Sequence, residues 1–277
     1  MREATQKQAE RAVQQHKLQR LQKLVARFEP TVDAGDKIAT GFAPIDAYLM
    51  RDGGGGLPCG GMHEVVAARP GDMAAALGFA HRLAAQFLAE TAGETRLLYG
   101  QTHAAVREGG QPYAPALAAQ GVAAQQLVYL DGVPLADLLW AGEEALACPA
   151  IGCSLLASWD DAPDFTASRR LTLAARAAMR PLLLVLGAQA AGTASAATTR
   201  WHVSGLPQQG WQVVLSKSRL SYQAMPPSAG WPVYPQRRAL DLRDIEQDIA
   251  THRAENRAEN RAENKAETPP MAAQRAS

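Results

Sequence analysis

The sequence lacks several features that would place the protein in a large class at once. Its three cysteines, Cys59, Cys148 and Cys153, have no paired C-x-x-C spacing, which argues against a disulfide framework and a zinc site. No apolar run approaches the roughly 20 residues that a membrane span needs. Residues 1–17 lack the apolar region of a signal peptide. We therefore expect reduced thiols and a cytoplasmic protein.

An excess of one charge sign is also missing. The formal net charge is +1 at pH 7, from 28 Lys and Arg against 27 Asp and Glu. This near balance excludes a strongly basic nucleic-acid binder as a property of the whole chain and leaves only local patches. The 277 residues are 47% hydrophobic and 20% charged, which is typical of a globular protein with one sizeable domain plus appendages.

What is present is an alternation of strand and helix signals, which indicates the α/β class with a mostly parallel sheet and helices on both faces. The predicted strands are residues 62–66, 96–99, 126–130, 151–156 and 182–186. The predicted helices are residues 46–50, 73–90, 113–120, 134–147 and 166–180. Residues 201–203 and 210–215 are predicted to form a closing hairpin across a Gly/Pro/Gln turn.

After the first of these strands, the residues that would bind a phosphate are missing. A phosphate-binding loop needs G-x-x-x-x-G-K-[ST], in which Lys neutralises the phosphates and Ser or Thr holds Mg²⁺. This chain has AARPGDMAAA at residues 67–76, where Asp72 is predicted to cap the next helix and Met73 stands near the Lys position. A carboxylate there repels a triphosphate, so a turn without nucleotide is favoured. Arg69, which could meet a phosphate from another direction, keeps the alternative open.

The metal-binding half of a nucleotide site is also incomplete. Residues 150–157 (AIGCSLLA) form an apolar run suited to a buried parallel strand. Such a strand should end in a carboxylate that holds Mg²⁺. Here Asp160 and Asp161 follow only in the next Asp/Pro turn, and we interpret them as turn formers. The loss of both motifs together predicts a retained fold with no catalytic residues, no cofactor and no metal.

The order TGF, ID, GGLP and HE across residues 40–64 resembles the start of the RecA core, and more closely that of the ImuA family. The resemblance spans about residues 36–220 and continues through four further segments: 111–122, 138–146, 166–177 and 199–207. ImuA proteins are RecA-like accessory proteins of bacterial translesion mutagenesis. The division inhibitor SulA belongs to the same degenerate group and supplies a rival interpretation, as does a divergent RecA-like ATPase.

The resemblance implies a RecA-like core and a non-catalytic role in the SOS response, in DNA-damage-induced translesion synthesis. The implied partners are an ImuB-like inactive Y-family polymerase, an error-prone C-family polymerase and, as a further candidate, RecA. These partners come from the family and not from the residues. The residues themselves predict only binding without catalysis, no membrane association, and DNA contact that is weak or indirect.

Two surface features are candidate contact sites. On the predicted helix 166–180, Arg169, Arg176 and Arg180 are spaced to share one face and could contact DNA or an acidic partner, although a solvated face is the simpler interpretation. Residues 187–199 correspond by position to the DNA-contacting loop of RecA. They carry no Lys, Arg or aromatic residue, so we expect a flexible connector.

The ends of the chain differ in character from residues 36–222, which we assign to the degenerate RecA-like domain. Residues 1–35 are predicted to be a charged helix and a linker. Residues 223–277 are predicted to be a Pro-rich linker, a short helix, and a tail whose RAEN repeat places like charges four residues apart and so favours disorder. The candidate partner-docking residues in this region are Trp231, Tyr234, Leu242, Ile245 and Ile249.

Overall fold

An eight-stranded sheet with helices on both faces organises the part of the chain that the computed structural model describes, which is residues 36–50, 55–91, 93, 95–207, 210–220 and 226–235. The strands are β1 (Lys37–Ile38), β2 (Leu57–Pro58), β3 (Met62–Ala67), β4 (Arg96–Thr102), β5 (Leu127–Val133), β6 (Ile151–Ser158), β7 (Leu182–Leu186), β8 (Thr199–Leu206), β9 (Gly210–Ser218) and β10 (Trp231–Val233). The α-helices are α1 (Ala43–Leu49), α2 (Met73–Glu90), α3 (His103–Gly109), α4 (Ala114–Ala118), α5 (Leu135–Ala147) and α6 (Phe165–Ala178).

The sheet is mostly parallel, in the strand order β10-β9-β8-β3-β7-β6-β4-β5. The strands from β8 to β5 in this order are parallel to their neighbours, whereas β9 is antiparallel to β8 and to β10. Strands β1 and β2 form a separate antiparallel pair. The predicted α/β class with a mostly parallel sheet is therefore confirmed, and so is the predicted hairpin, which is β8 and β9.

The central strands are buried on both faces, because helices cover each side of the sheet. Every residue of β6 and β7 is buried. Leu183 and Val185 of β7 belong to one hydrophobic cluster with α2, whereas Leu182, Leu184 and Leu186 belong to a second cluster with α5 and α6. This alternation explains why these strands are continuous apolar runs in the sequence.

The helical connections switch from one face of the sheet to the other between β4 and β6. Helix α2 leads from β3 to β4, and α3 and α4 lead from β4 to β5, all on the face of the first cluster. Helices α5 and α6 return the chain to β6 and β7 on the opposite face. Adjacent strands whose connections leave to opposite faces open a crevice at their carboxyl ends, where ligands of open α/β sheets bind. We call the one between β4 and β6 the β4/β6 crevice.

Strand β10 lies in the region that the sequence predicts to be a linker. Trp231 and Val233 are buried and Pro232 between them is exposed. Trp231 and Pro232 face Val213 and Gln212 of β9, so this segment forms the edge of the sheet. The folded domain therefore continues beyond the predicted boundary at residue 222. A proline is tolerated here because an edge strand leaves one side of its backbone unpaired.

Candidate functional site

The turn between β3 and α2, which we call the β3–α2 turn (residues 68–72), lies where a phosphate-binding loop would follow the strand in a nucleotide-binding domain. A short 3₁₀ helix, Pro70–Asp72, is separated from the end of the strand by two residues. The Arg69 guanidinium donates two hydrogen bonds to the Asp72 carboxylate, at 2.8 Å from Nε and 3.2 Å from the second nitrogen. The backbone N–H of Gly205 on β8 donates a third, at 3.0 Å. The turn is thus closed by contacts within the domain.

Asp72 stands at the N-cap position of α2, but its side chain makes no capping hydrogen bond. The prediction that Asp72 caps the helix is wrong in this respect, because Arg69 and Gly205 draw the carboxylate away from the helix end. The hydrogen bonds from Arg69, joined by the one from Gly205, hold the pKa of Asp72 below its usual value. The carboxylate therefore stays charged, and Arg69 is already paired.

Three of the five residues in the β3–α2 turn, Ala68, Pro70 and Asp72, have no free backbone N–H to donate to a phosphate. The N–H of Ala68 donates to the Val203 carbonyl at 2.8 Å, and the N–H of Asp72 donates to the Arg69 carbonyl at 3.0 Å. Pro70 has no N–H. Met73, at the position where a phosphate-binding Lys is needed, is 2% exposed and belongs to the hydrophobic core.

Strand β6 ends at Ser158, without the carboxylate that would hold a metal ion. Asp160 and Asp161 lie beyond the strand, in the exposed segment before α6, as predicted. The Asp160 carboxylate lies 3.8 Å from the Arg107 guanidinium. Within the described ranges, no group of three or more His, Cys, Asp or Glu side chains is arranged to hold a metal ion.

The three arginines predicted to form one helical stripe are separated by the end of α6. Arg169 is exposed and Arg176 half-buried on α6, which ends at Ala178. Met179 then adopts a left-handed conformation with φ of 53°. Arg180 lies beyond this break and donates to the Leu146 carbonyl at 2.7 Å, near the end of α5. The shared face of three arginines is therefore a wrong prediction, and only two of them lie on the helix.

Residues 187–199, predicted to be a flexible connector, are held by a buried ion pair. Glu64 on β3 is fully buried and pairs with Arg200, which is 6% exposed. Arg200 also donates to the Thr193 carbonyl at 2.7 Å, and the Ser195 hydroxyl donates to Glu64. The Lys217 ammonium donates to the Ser195 carbonyl. The segment is therefore part of the packed domain, and the prediction of a flexible connector is wrong.

The candidate docking residues do not form one exposed set. Trp231 is 7% exposed, with its ring centroid 5.2 Å from that of Tyr48 and 6.4 Å from that of Trp201. It is core, which corrects its assignment to a docking segment. Tyr234 is 52% exposed and remains available. Leu242, Ile245 and Ile249 lie outside the described residues.

A cavity of about 240 Å³ opens at the β4/β6 crevice. Thr102 ends β4 and Ser158 ends β6, so neighbouring parallel strands bring both hydroxyl side chains to the cavity. Asp160 and Asp161 also line it, together with Arg107 of α3. This cavity is not among the sites predicted from the sequence. The signal present in the sequence is a polar residue at the carboxyl end of each of two apolar strands.

Comparisons with known proteins add no family assignment. No protein-family model matches the chain, and no curated protein matches it significantly. Among the residues that the structure describes, no helix has both the length and the apolar character needed to cross a bilayer.

Proposed function

We propose that the protein is a non-catalytic accessory protein of DNA-damage-induced translesion synthesis, and that it acts in the cytoplasm by binding other proteins. The observation that carries the proposal is the closed β3–α2 turn, in which Arg69 and Gly205 occupy the Asp72 carboxylate. A RecA-like ATPase needs an open loop with a free cation at this point. This turn instead presents a paired carboxylate.

The end of β6 supports the same proposal. Ser158 stands where a Mg²⁺-binding carboxylate is needed, and the Asp160 and Asp161 side chains are directed to a different crevice, the one between β4 and β6. Phosphate binding and metal binding are separate requirements of an ATPase. The residues at the two strand ends lack the groups for both functions, which favours a domain that acts through its surface and not as an ATPase.

The proposed partners follow from the resemblance to the ImuA family. They are the ImuB-like inactive Y-family polymerase, the error-prone C-family polymerase and RecA. The proposed role of DNA is secondary, because the net charge is +1 and the loop at residues 187–199 has no cationic or aromatic side chain. The segment is moreover held against the domain by Glu64 and Arg200.

The test is a binding measurement with the purified full chain and the ImuB-like polymerase from the same genome. We expect binding that does not change when Mg-ATP is added or removed. Asp72→Asn, which keeps an acceptor for Gly205, should leave the affinity unaltered. Binding that requires ATP would support the divergent ATPase instead. Binding to the tubulin-like division protein, with none to the polymerase, would support the SulA-like alternative.

A further inference from the structure

The cavity at the β4/β6 crevice has the position and the size of a site for a single side chain. It lies where the connections of β4 and β6 leave to opposite faces of the sheet, which is the usual place for a ligand in this class of fold. Its volume of about 240 Å³ is below the roughly 300–1,000 Å³ of typical small-molecule sites. A whole nucleotide or cofactor is therefore a poor match for it.

The Ser158 hydroxyl is a buried polar group at the cavity. Ser158 is 1% exposed, and its hydroxyl has no hydrogen-bond partner among the described residues. Thr102, on the neighbouring strand, is different, since its hydroxyl accepts a hydrogen bond from the backbone N–H of Ala105 at 3.3 Å. A buried hydroxyl without a partner is unfavourable, so a ligand group that hydrogen-bonds to Ser158 gains affinity.

The charges at the rim favour a cationic group. Asp160 and Asp161 share the lining with one guanidinium, Arg107, and with the imidazole of His103. The Arg107–Asp160 separation of 3.8 Å joins two side chains that are 72% and 56% exposed. Such an exposed pair is weak and is easily rearranged. Asp161 makes no ion pair or hydrogen bond with the described residues. It is therefore the carboxylate most available to a ligand.

One wall of the cavity is apolar. Val133, Pro134 and Leu135, at the end of β5 and the start of α5, line it side by side. Lysine and arginine side chains combine an aliphatic stem with a cationic head, and they bury the stem on apolar surface while the head seeks polar partners. The apolar wall matches the aliphatic stem, and the two acidic groups match the cationic head.

We propose that this cavity binds a lysine or arginine side chain presented by a protein partner, with the cationic head at Asp161 and Ser158 and the stem on Val133, Pro134 and Leu135. The assignment of the occupant to a protein rests on the proposed function. The chemistry of the cavity does not rest on it. An anion would instead be held by Arg107, and it would meet the two carboxylates at the same place.

The first experiment titrates the full-length protein with small probes, followed by nuclear magnetic resonance. The probes are the acetylated amides of lysine, arginine and norleucine, and inorganic phosphate. We expect saturable binding of the two basic probes and none of norleucine amide or phosphate. Asp161→Asn should weaken binding about fivefold, the effect of losing one exposed ion pair. Ser158→Ala should also weaken it.

The matched control is Glu108→Gln. Glu108 is exposed on α3 next to Arg107, it does not line the cavity, and its substitution removes one negative charge as Asp161→Asn does. The control should bind the basic probes as the parent protein does. Equal weakening by Glu108→Gln would show a general charge effect and overturn the site. Phosphate binding that is lost on Arg107→Ala, equal binding of norleucine amide, or no binding of either basic probe would also overturn it.

The second experiment measures the affinity of the polymerase partner for the parent protein and for Asp161→Asn. A loss of affinity parallel to that of the probes supports the proposal. If the parent protein binds the basic probes but Asp161→Asn does not change the affinity for the polymerase, the assignment to that partner's side chain is overturned. If the polymerase does not bind at all, the proposed function fails while the probe titration still decides the chemistry of the cavity.

Discussion

The β3–α2 turn and the β4/β6 crevice both lie at the carboxyl ends of buried parallel strands, but their polar groups differ. Those of the turn are paired within the domain, and some of those at the crevice are not. At the β3–α2 turn, the Asp72 carboxylate is satisfied by Arg69 and Gly205. At the crevice, the Ser158 hydroxyl and the Asp161 carboxylate have no partner among the described residues. The difference indicates that position in an α/β fold does not define a binding site. A strand end can bind a ligand only where its polar groups have no hydrogen-bond or ion-pair partner within the domain.

The largest expected effect is a loss of stability at β3, the strand that leads into the closed turn. We expect Arg200→Ala to lower the free energy of unfolding by about 3–5 kcal/mol, because Glu64 would stay buried without its ion-pair partner. Urea unfolding measures the loss. The double variant Glu64→Leu/Arg200→Met, which removes both charges, should recover most of it. A loss below about 1 kcal/mol in the single variant would show that the pair does not hold this region.

A fall in pH should also destabilise the protein through a residue of β3. His63 is fully buried between the Thr199 hydroxyl, at 2.9 Å, and the Pro58 carbonyl, at 3.0 Å. Burial lowers its pKa to about 4, against an ordinary value of 6.5. Between these values the unfolded chain binds a proton that the folded protein does not. Stability is therefore complete above pH 6.5 and falls as the pH drops toward 4, by up to about 3 kcal/mol.

The measurement is urea unfolding between pH 7.5 and pH 4.5 for the parent protein and His63→Gln. The variant should be less stable at pH 7.5, because it loses packing, but it should lose less on acidification. His81, whose pKa is also lowered to about 4 by burial, should account for part of the loss that remains. Parallel curves for the two proteins would contradict the assignment to His63.

Matched substitutions of the two aspartates compare the two strand ends directly. Asp72→Ala removes the acceptor of the Gly205 N–H in a part-buried hydrogen bond, so we expect a loss of about 1 kcal/mol of unfolding free energy. The ion pair with Arg69 adds little, since the Arg69 side chain is 69% exposed. Asp161→Ala should change stability by less than about 0.5 kcal/mol. Equal effects at the two positions would remove the distinction between a closed and an open strand end.

The smallest expected effect concerns two buried serines. Ser158→Ala should leave the free energy of unfolding unchanged or raise it by about 0.5 kcal/mol, because the hydroxyl makes no hydrogen bond within the described domain. Ser168→Ala is the control. Its hydroxyl donates to the Phe165 carbonyl at 2.9 Å and accepts from the Ala196 N–H at 3.0 Å, so its loss should cost about 1 kcal/mol. A destabilised Ser158→Ala would mean that the hydroxyl is already satisfied.

The sequence was sufficient for the parts of the fold that depend on local apolar pattern. Strand β7 has the predicted bounds, and β3 differs from prediction by one residue, because buried parallel strands are uninterrupted apolar runs. The absence of a phosphate-binding Lys could also be predicted from the sequence, because a motif is defined by neighbouring residues. The closure of the turn was not, because it depends on the backbone N–H of Gly205 on another strand.

The features that the sequence did not reveal involve residues that are distant in the chain. Glu64 and Arg200 are 136 positions apart, so no local pattern shows that they fix the segment at 187–199. Strand β10 is three residues long and contains Pro232, which is too short for an alternation to be recognised. The cavity brings Thr102 and Ser158 together from separate segments. In each case the missing information is the pairing of strands.

The central claim is that the closed β3–α2 turn leaves this domain without nucleotide binding, so Mg-ATP titrated calorimetrically into the full-length protein tests it most directly. We expect no saturable heat, for the parent protein and for Arg69→Ala alike, because Asp72 places a carboxylate at the start of α2 and the buried Met73 stands where a phosphate-binding Lys is needed. A micromolar affinity that disappears in Arg69→Ala would contradict the account and support the alternative of a divergent RecA-like ATPase.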